Sequence, residues 1–275
     1  MHKKARRMMI GGGAKPAERQ QLGGGVGGGL GSGWSKVVPT VTEAVVAVVG
    51  VGPGLGAAIA RRFAREGFIV AILARDLDKL MKLAEEIVEK ENEAQVCAIR
   101  IDCSDPKSIK EAFEAVNSLG SVEVLVYNTN TPFPYPPPKF TDISPESFER
   151  SLVVPCVGAF HCVQQVIKGM VDREKGTLLF TGATASIRGG AGFSEIACGK
   201  FALRALAQSL AREYQPQGIH AAHIIVDGRI GRNQDTQEDT TMNPDAIAEA
   251  YWQVHKQHRS AWTQELDLRP FSEKF

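Results

Sequence analysis

From residue 41 onward, the chain alternates short apolar runs with amphipathic segments. Continuous apolar runs are typical of parallel strands covered on both faces, whereas apolar positions three and four apart are typical of helices. The runs predict strands over 44–49, 68–74, 95–101, 122–127, 177–181, 220–226 and 262–268. The segments between them predict helices over 57–66, 77–91, 107–119, 145–171, 194–214 and 244–255.

Regular alternation of strands and helices with short connections predicts the α/β class, as a doubly wound (Rossmann) parallel sheet. We expect a single domain over 41–275, with a loop at 229–243 that covers a substrate. Residues 1–40 form a separate segment, because the stretch 11–33 holds eleven glycines and little that packs. Such a composition predicts a flexible tail.

Composition and charge exclude several classes of protein. The chain is 43% hydrophobic and 23% charged, as in ordinary globular proteins. No run reaches the ~18 apolar residues of a membrane span. Residues 1–36 carry seven basic residues and one acidic residue, which is a net charge of +6. The whole chain has a net charge of +1, so the remaining residues carry a net charge of −5. A mildly acidic body argues against nucleic acid as a partner.

The cysteines and histidines predict neither disulfides nor a metal site. The chain has five cysteines, an odd number, without a CxxC pair, which favours a reducing, cytoplasmic setting. The basic start leaves organellar targeting open as an alternative. His255 and His258 lie three apart on a predicted helix, where we expect an exposed face, and no third ligand is evident.

A glycine-rich turn separates the first apolar strand from the first helix. Glycines let the backbone turn tightly and approach a pyrophosphate, and the helix N-terminus adds free N–H donors. We therefore expect a dinucleotide at this turn. The turn residues assigned to it are Gly50, Gly52, Gly54, Leu55 and Gly56.

The Gly-x-x-x-Gly-x-Gly spacing of Gly50, Gly54 and Gly56 resembles the short-chain dehydrogenase/reductase family, over about residues 43–270. The resemblance implies an oxidoreductase with a nicotinamide cofactor. Arg75 follows the second strand, and Ala74 occupies the position where NAD-selective members carry an acid. This implies NADP(H) rather than NAD(H), because a guanidinium can clamp a 2′-phosphate. The alternative is a solvated charge that Asp76 neutralises.

The resemblance also assigns residues of this chain to the two ends of the cofactor, the adenosine and the nicotinamide. Asp102 and Cys103 end the third strand and resemble the family's contacts beside the adenine. Asn128 ends the fourth strand and matches one adenosine contact. Asp227 and Gly228 follow the sixth strand, at the position where residues of the family lie behind the nicotinamide ring.

The family's catalytic asparagine, serine, tyrosine and lysine are only partly present. Lys200 matches the lysine, which also bonds the nicotinamide ribose in this family. The resemblance places Ile196 at the tyrosine, Ala183 at the serine and Pro155 at the asparagine. The usual proton donor is therefore missing, and general acid catalysis typically contributes ~10²–10⁴ in rate.

Other side chains are candidates to replace it. Thr184 can hydrogen-bond a substrate oxygen or the backbone, and Tyr135 can turn its phenol inward or pack within its loop. Asp227 can act as a base, repel an anion or cap a turn. Ser194 and Glu195 are expected to cap the helix or face solvent.

Two functions remain open at this point. One is an NADP(H)-dependent oxidoreductase with a non-standard active site, acting on a carbonyl, alcohol or enone. The other is a catalytically silent NADP(H)-binding sensor or scaffold. Apolar faces on the helices 145–171 and 194–214 predict either a homodimer or homotetramer, or burial within one subunit.

Overall fold

The computed structural model describes residues 9–10, 44–91, 93–131, 133–231 and 241–272. Its main sheet has eight parallel strands in the order β1-β4-β3-β2-β5-β6-β7-β10. Two further strands, β8 and β9, pair with each other outside this sheet. The described strands are β1 (Met9–Ile10), β2 (Ala44–Val49), β3 (Ile69–Ala74), β4 (Gln95–Arg100), β5 (Ser121–Tyr127), β6 (Gly176–Ala183), β7 (Ile219–Val226), β8 (Arg229–Ile230), β9 (Thr241–Met242) and β10 (Glu265–Leu268). The predicted doubly wound parallel sheet is confirmed.

Seven α-helices are described, and they cover both faces of this sheet. They are α1 (Leu55–Ala64), α2 (Leu77–Lys90), α3 (Pro106–Leu119), α4 (Pro145–Leu152), α5 (Gly158–Asp172), α6 (Ser194–Tyr214) and α7 (Pro244–Lys256). One core joins the sheet to α3, α5 and α6, and a second joins it to α1, α2 and α7. The central strands β2 and β3 are apolar throughout because both of their faces are buried.

The strand order reverses direction at β2, which pairs with β3 on one side and β5 on the other. In open α/β sheets, ligands bind outside the carboxyl ends of the strands at this switch point. Gly50 follows β2 and Asn128 follows β5, so the fold brings both to the same crevice.

The predicted helix 145–171 is interrupted, which corrects the sequence prediction. Between α4 and α5 lies a π-helical turn, Val153–Val157. Pro155 explains it, because proline has no N–H and its ring clashes with the carbonyl four residues earlier, that of Ser151. The N–H of Gly158 instead donates to the carbonyl of Val153, five residues back. The buried Tyr127 hydroxyl donates to the Val154 carbonyl and ties this turn to β5.

The joined segment Pro145–Asp172 is 28 residues long and, by length and composition only, could cross a membrane. No such span was expected from the apolar runs of the sequence. Core helices of soluble proteins pass the same test, and α5 lies against the sheet through buried residues such as Cys162 and Met170.

Some predictions concern residues outside the described ones. Apart from β1, the tail 1–40 falls there, as does most of the loop 229–243, whose described ends pair as β8 and β9. His255 is not exposed as expected: its Nδ1 lies 2.9 Å from the Thr177 hydroxyl, among aromatic rings.

Candidate active site

A cavity of about 880 Å³ opens at the carboxyl ends of β2 and β5. It runs from the glycine turn to the start of α6, and so joins the predicted cofactor and catalytic residues in one space. Its predicted residues are Gly50, Gly52, Arg75, Asp102, Cys103, Asn128, Ile196 and Lys200. Residues that were not predicted to bind anything, among them Thr131, Ser147 and Glu195, line it too.

Two glycines of the turn are required by close packing. Gly50 has φ +88°, and a Cβ there would lie 2.6 Å from the carbonyl oxygen of Asn128. A Cβ at Gly56 would lie 2.8 Å from the Cα of Val51. The Asn128 side chain donates from Nδ2 to the Gly50 carbonyl at 3.1 Å. Asn128 therefore holds the turn in place from the neighbouring strand.

Gly52 and Gly54, by contrast, face open space, because a Cβ at either position would meet no described atom within 4 Å. Gly54 lies directly before α1, whose first N–H groups have no partner within the helix. Leu55 is buried as the first residue of that helix. An open cradle beside a helix N-terminus fits a pyrophosphate.

Arg75 lines the cavity with its side chain exposed. Asp76 does not neutralise it: this carboxylate caps α2 through the N–H of Lys79 and pairs with the Lys79 ammonium at 2.7 Å. Among the described residues, Arg75 has no ion-pair partner. A free guanidinium at the end of β3 fits a phosphate group.

Asp102 and Cys103, which the resemblance assigns to the adenine end, both line the cavity. Asp102 accepts hydrogen bonds from the Ser104 hydroxyl at 2.6 Å and the Ser104 N–H at 2.9 Å. These bonds, with a smaller effect of Arg75 and Arg100, lower the pKa of Asp102. The Cys103 thiol is buried against Cys162.

Lys200 is 4% exposed and lines the cavity from α6. Its ammonium donates to the carbonyl oxygens of Thr181 at 2.9 Å and Thr129 at 3.2 Å. Burial lowers the pKa of Lys200 to about 8. Two of its three N–H donors are occupied by the backbone, so the third is left for a ligand.

Thr184 does not lie in the cavity wall. Its hydroxyl donates to a carboxylate oxygen of Asp227, which is buried. The other Asp227 oxygen lies 3.3 Å from Nη1 of Arg269. Asp227 is thus held by two side chains, and a Cβ on Gly228 would lie 2.8 Å from Pro270. The structure does not bring Thr184, Asp227 or Gly228 to the cavity.

The Tyr135 side chain does not point inward: it is 90% exposed and is not part of the cavity lining. Its neighbour Phe133 lines the cavity instead and stacks on Phe193, with ring centroids 5.1 Å apart. The aromatic contact from this loop to α6 is therefore made by Phe133.

Glu195 and Ser194 correct the expectation that both cap the helix or face solvent. Glu195 is 8% exposed and lines the cavity, and its Oε1 accepts a hydrogen bond from the Ser147 hydroxyl at 2.6 Å. The Ser194 hydroxyl is buried without a hydrogen-bond partner among the described residues. No local pattern signals this pair, because Ser147 and Glu195 come from different helices.

Two of the three positions assigned to the missing catalytic groups lie in the cavity wall, and the third, Ala183, does not. Ile196 and Pro155 line the cavity with apolar surface. Gly199 presses against the π turn: a Cβ there would lie 2.2 Å from the Ser151 carbonyl and 2.6 Å from Pro155. The tight contact fixes the start of α6 against α4.

Comparisons with known proteins show which family and fold the chain resembles. The family model described as short chain dehydrogenase matches residues 44–237. The 3-ketodihydrosphingosine reductase of Bos taurus is 32% identical over 179 residues, which are 64% of this chain and 53% of that protein. The chain thus spans about half the length of the curated reductase it matches.

Two solved structures share the fold over nearly their whole length. A short-chain dehydrogenase from Rhodopseudomonas palustris is 35% identical with a TM-score of 0.73, covering 83% of this chain and 99% of that one. An alcohol dehydrogenase from Thermococcus sibiricus, complexed with 5-hydroxy-NADP, is 26% identical with a TM-score of 0.74, covering 84% and 99%.

Proposed function

The chain belongs to the short-chain dehydrogenase family, and from this premise we propose that it is an NADP(H)-dependent oxidoreductase with a non-standard active site. Its substrate would be a carbonyl compound, an alcohol or an enone. One observation carries the proposal: a single cavity joins the open glycine cradle and Arg75 to Lys200. Cofactor and substrate can therefore meet in one cavity.

The cofactor preference rests on Arg75. Gly52, Gly54 and the start of α1 would hold the pyrophosphate, and Arg75 would pair with a 2′-phosphate. We expect NADPH to bind at least tenfold more tightly than NADH, a charge-assisted contact being worth ~1.5–3 kcal/mol. Titration calorimetry of wild type, Arg75→Ala and a control, Arg65→Ala, measures this. Arg65 is ion-paired with Glu91.

The outcome for these variants is specific. Arg75→Ala should bring NADPH affinity down to that of NADH, whereas Arg65→Ala should retain the preference. Equal affinity of the wild type for both cofactors would contradict the choice of NADP(H).

Each residue that lines the cavity would have its own role in the reaction. The nicotinamide supplies or accepts a hydride when bound. Lys200, fixed by the carbonyls of Thr129 and Thr181, holds a positive charge in the cavity and keeps one N–H donor for a ribose or substrate oxygen. Ile196 and Pro155 exclude water beside it. Hydrogen-bonding groups toward the substrate come from α4 and α6 rather than from a tyrosine.

Turnover is tested with purified protein, NADPH and a panel of aldehydes, ketones and enones, following the loss of NADPH absorbance. We expect substrate-dependent oxidation by wild type and little by Lys200→Met. Consumption no faster than in buffer, with NADPH binding intact, would contradict the oxidoreductase.

A catalytically silent NADP(H)-binding sensor is the second candidate, and one observation favours it. The two hydroxyls predicted to replace the tyrosine are absent from the cavity, because Thr184 bonds Asp227 and Tyr135 is exposed. A sensor should bind NADPH with full affinity and oxidise it with no member of the panel. Substrate-dependent turnover by the unaltered chain would exclude it.

We further propose a homodimer or homotetramer formed through α5 and α6. Its support is the exposed apolar residues on these helices, Phe160 and Phe201. Light scattering should give a dimer or tetramer mass for wild type and a lower mass for Phe160→Glu. A cytoplasmic location is proposed because none of the five cysteines forms a disulfide.

A further inference from the structure

Glu195 places a buried carboxylate in the wall of the cavity, on the helix that carries Lys200. Its Oε1 accepts the hydrogen bond of Ser147, at 2.6 Å. Within the part of the chain that the structure describes, Oε2 has no hydrogen-bond partner, and no cation lies within 4 Å of the carboxylate. With 8% exposure, the side chain has little access to solvent other than through the cavity.

Two features of the fold stabilise negative charge at this position. The Ser147 hydroxyl donates to the carboxylate, and a hydrogen bond to the charged form favours that form. Glu195 also lies in the first turn of α6, where the helix dipole favours an anion. Neither feature supplies a positive charge, and a cation beside the carboxylate would add a charge-assisted hydrogen bond.

Among the described residues, no cation that lines this cavity contacts the Glu195 carboxylate. The Lys200 ammonium donates to the carbonyls of Thr129 and Thr181 and forms no ion pair with Glu195. Arg150 lines the cavity one turn beyond Ser147, but it is exposed and not in contact with the carboxylate. The Glu195 carboxylate is therefore open to a positively charged group of a ligand that enters the cavity.

We propose that Glu195 binds an ammonium group of the substrate, so that the substrate class is an amino carbonyl compound or the corresponding amino alcohol. This inference rests on the proposed function, since it concerns the molecule that enters the cavity beside the cofactor. The Thr131 hydroxyl oxygen, buried without a partner among the described residues, lines the same cavity and offers a second acceptor. Phe133, Ile143 and Val154 offer apolar surface to the carbon chain.

Binding of three alcohols of equal chain length tests the proposal: a vicinal aminooctanol, the vicinal octanediol and the secondary octanol. Each is titrated by calorimetry into the protein saturated with NADPH, because the reduced cofactor cannot oxidise an alcohol and binding is read without turnover. We expect the aminooctanol to bind about tenfold to a hundredfold more tightly than the other two, the range expected of a charge-assisted hydrogen bond.

Two variants separate a direct contact from general electrostatics. Glu195→Gln keeps the shape and the bond from Ser147 but removes the charge, and it should bind the three alcohols within about threefold of one another. Asp142→Asn removes an exposed acid that lines the same cavity. It should retain the preference for the amine, because a solvated charge contributes little.

Equal affinities in the wild type would overturn the proposal, as would a preference that survives in Glu195→Gln or is lost equally in Asp142→Asn. The wild-type series decides by itself if Glu195→Gln does not fold. An enzyme that prefers the amine yet never oxidises NADPH with an amino ketone would refute the proposed function and leave this binding site standing.

Discussion

Two glycines of the same turn should respond in opposite ways to the addition of one methyl group. Gly50 has φ +88°, and its Cβ would lie 2.6 Å from the Asn128 carbonyl oxygen, whereas a Cβ on Gly52 would meet no described atom within 4 Å. Gly50→Ala should therefore damage the fold, and Gly52→Ala should damage only what binds against the turn.

The magnitudes follow from these contacts. A non-glycine residue in a sparsely populated backbone region costs ~1–3 kcal/mol, and forcing extra volume into packed surroundings costs about as much again. Gly50→Ala should then lower the free energy of unfolding by about 2–6 kcal/mol, a large part of the ~5–15 kcal/mol of a typical domain. Gly52→Ala should change it by less than about 0.5 kcal/mol.

Urea unfolding without cofactor measures the first effect, and NADPH titration measures the second. The Gly52→Ala methyl projects into the space that a pyrophosphate would occupy, so NADPH affinity should fall at least about tenfold, or ~1.4 kcal/mol. Wild-type stability in Gly50→Ala would refute the packing argument. Wild-type NADPH affinity in Gly52→Ala would refute the phosphate cradle.

Three further predictions concern polar side chains that are buried or partly buried. The pKa of Lys200 is about 8 when folded and ~10.4 when unfolded, so the unfolded chain binds the proton more tightly. The free energy of unfolding should rise by up to about 3 kcal/mol between pH ~8 and ~10.5 and stay flatter in Lys200→Met, as pH-dependent urea unfolding will show. Tyr251→Phe leaves the buried Thr181 hydroxyl, now 2.7 Å from the phenol, without its partner and should cost ~1–3 kcal/mol in urea; no loss would contradict that bond. Arg204→Ala breaks a two-point ion pair with Glu265 and should cost about 1 kcal/mol, with a double-mutant cycle against Glu265→Gln measuring the coupling.

The fold was largely predictable because its signals are local. The strand predicted at 44–49 begins and ends where the structure places it, since a strand covered on both faces has to be apolar at every position. The break between α4 and α5 was missed because the apolar spacing continues through it. Pro155 was the available signal, as a proline inside a helical pattern removes a hydrogen bond.

The candidate site was predictable where its residues directly follow the ends of predicted strands. The glycine turn and Arg75 each follow the end of a strand, and parallel strands bring those ends together. Two side-chain pairs join distant segments and have no local signal: Ser147 with Glu195, which lines the cavity, and Thr184 with Asp227, which lies outside it. A helix pattern alone cannot tell that Glu195 faces a cavity rather than solvent.

The contact between Gly199 and the π turn constrains how the sequence can vary over evolution. A side chain at Gly199 would strike both the Ser151 carbonyl and the Pro155 ring. Pro155 in turn produces the wide turn that sets where that carbonyl lies. A side chain at 199 would therefore need this turn to change, so relatives with a larger residue at 199 should have lost the proline at 155.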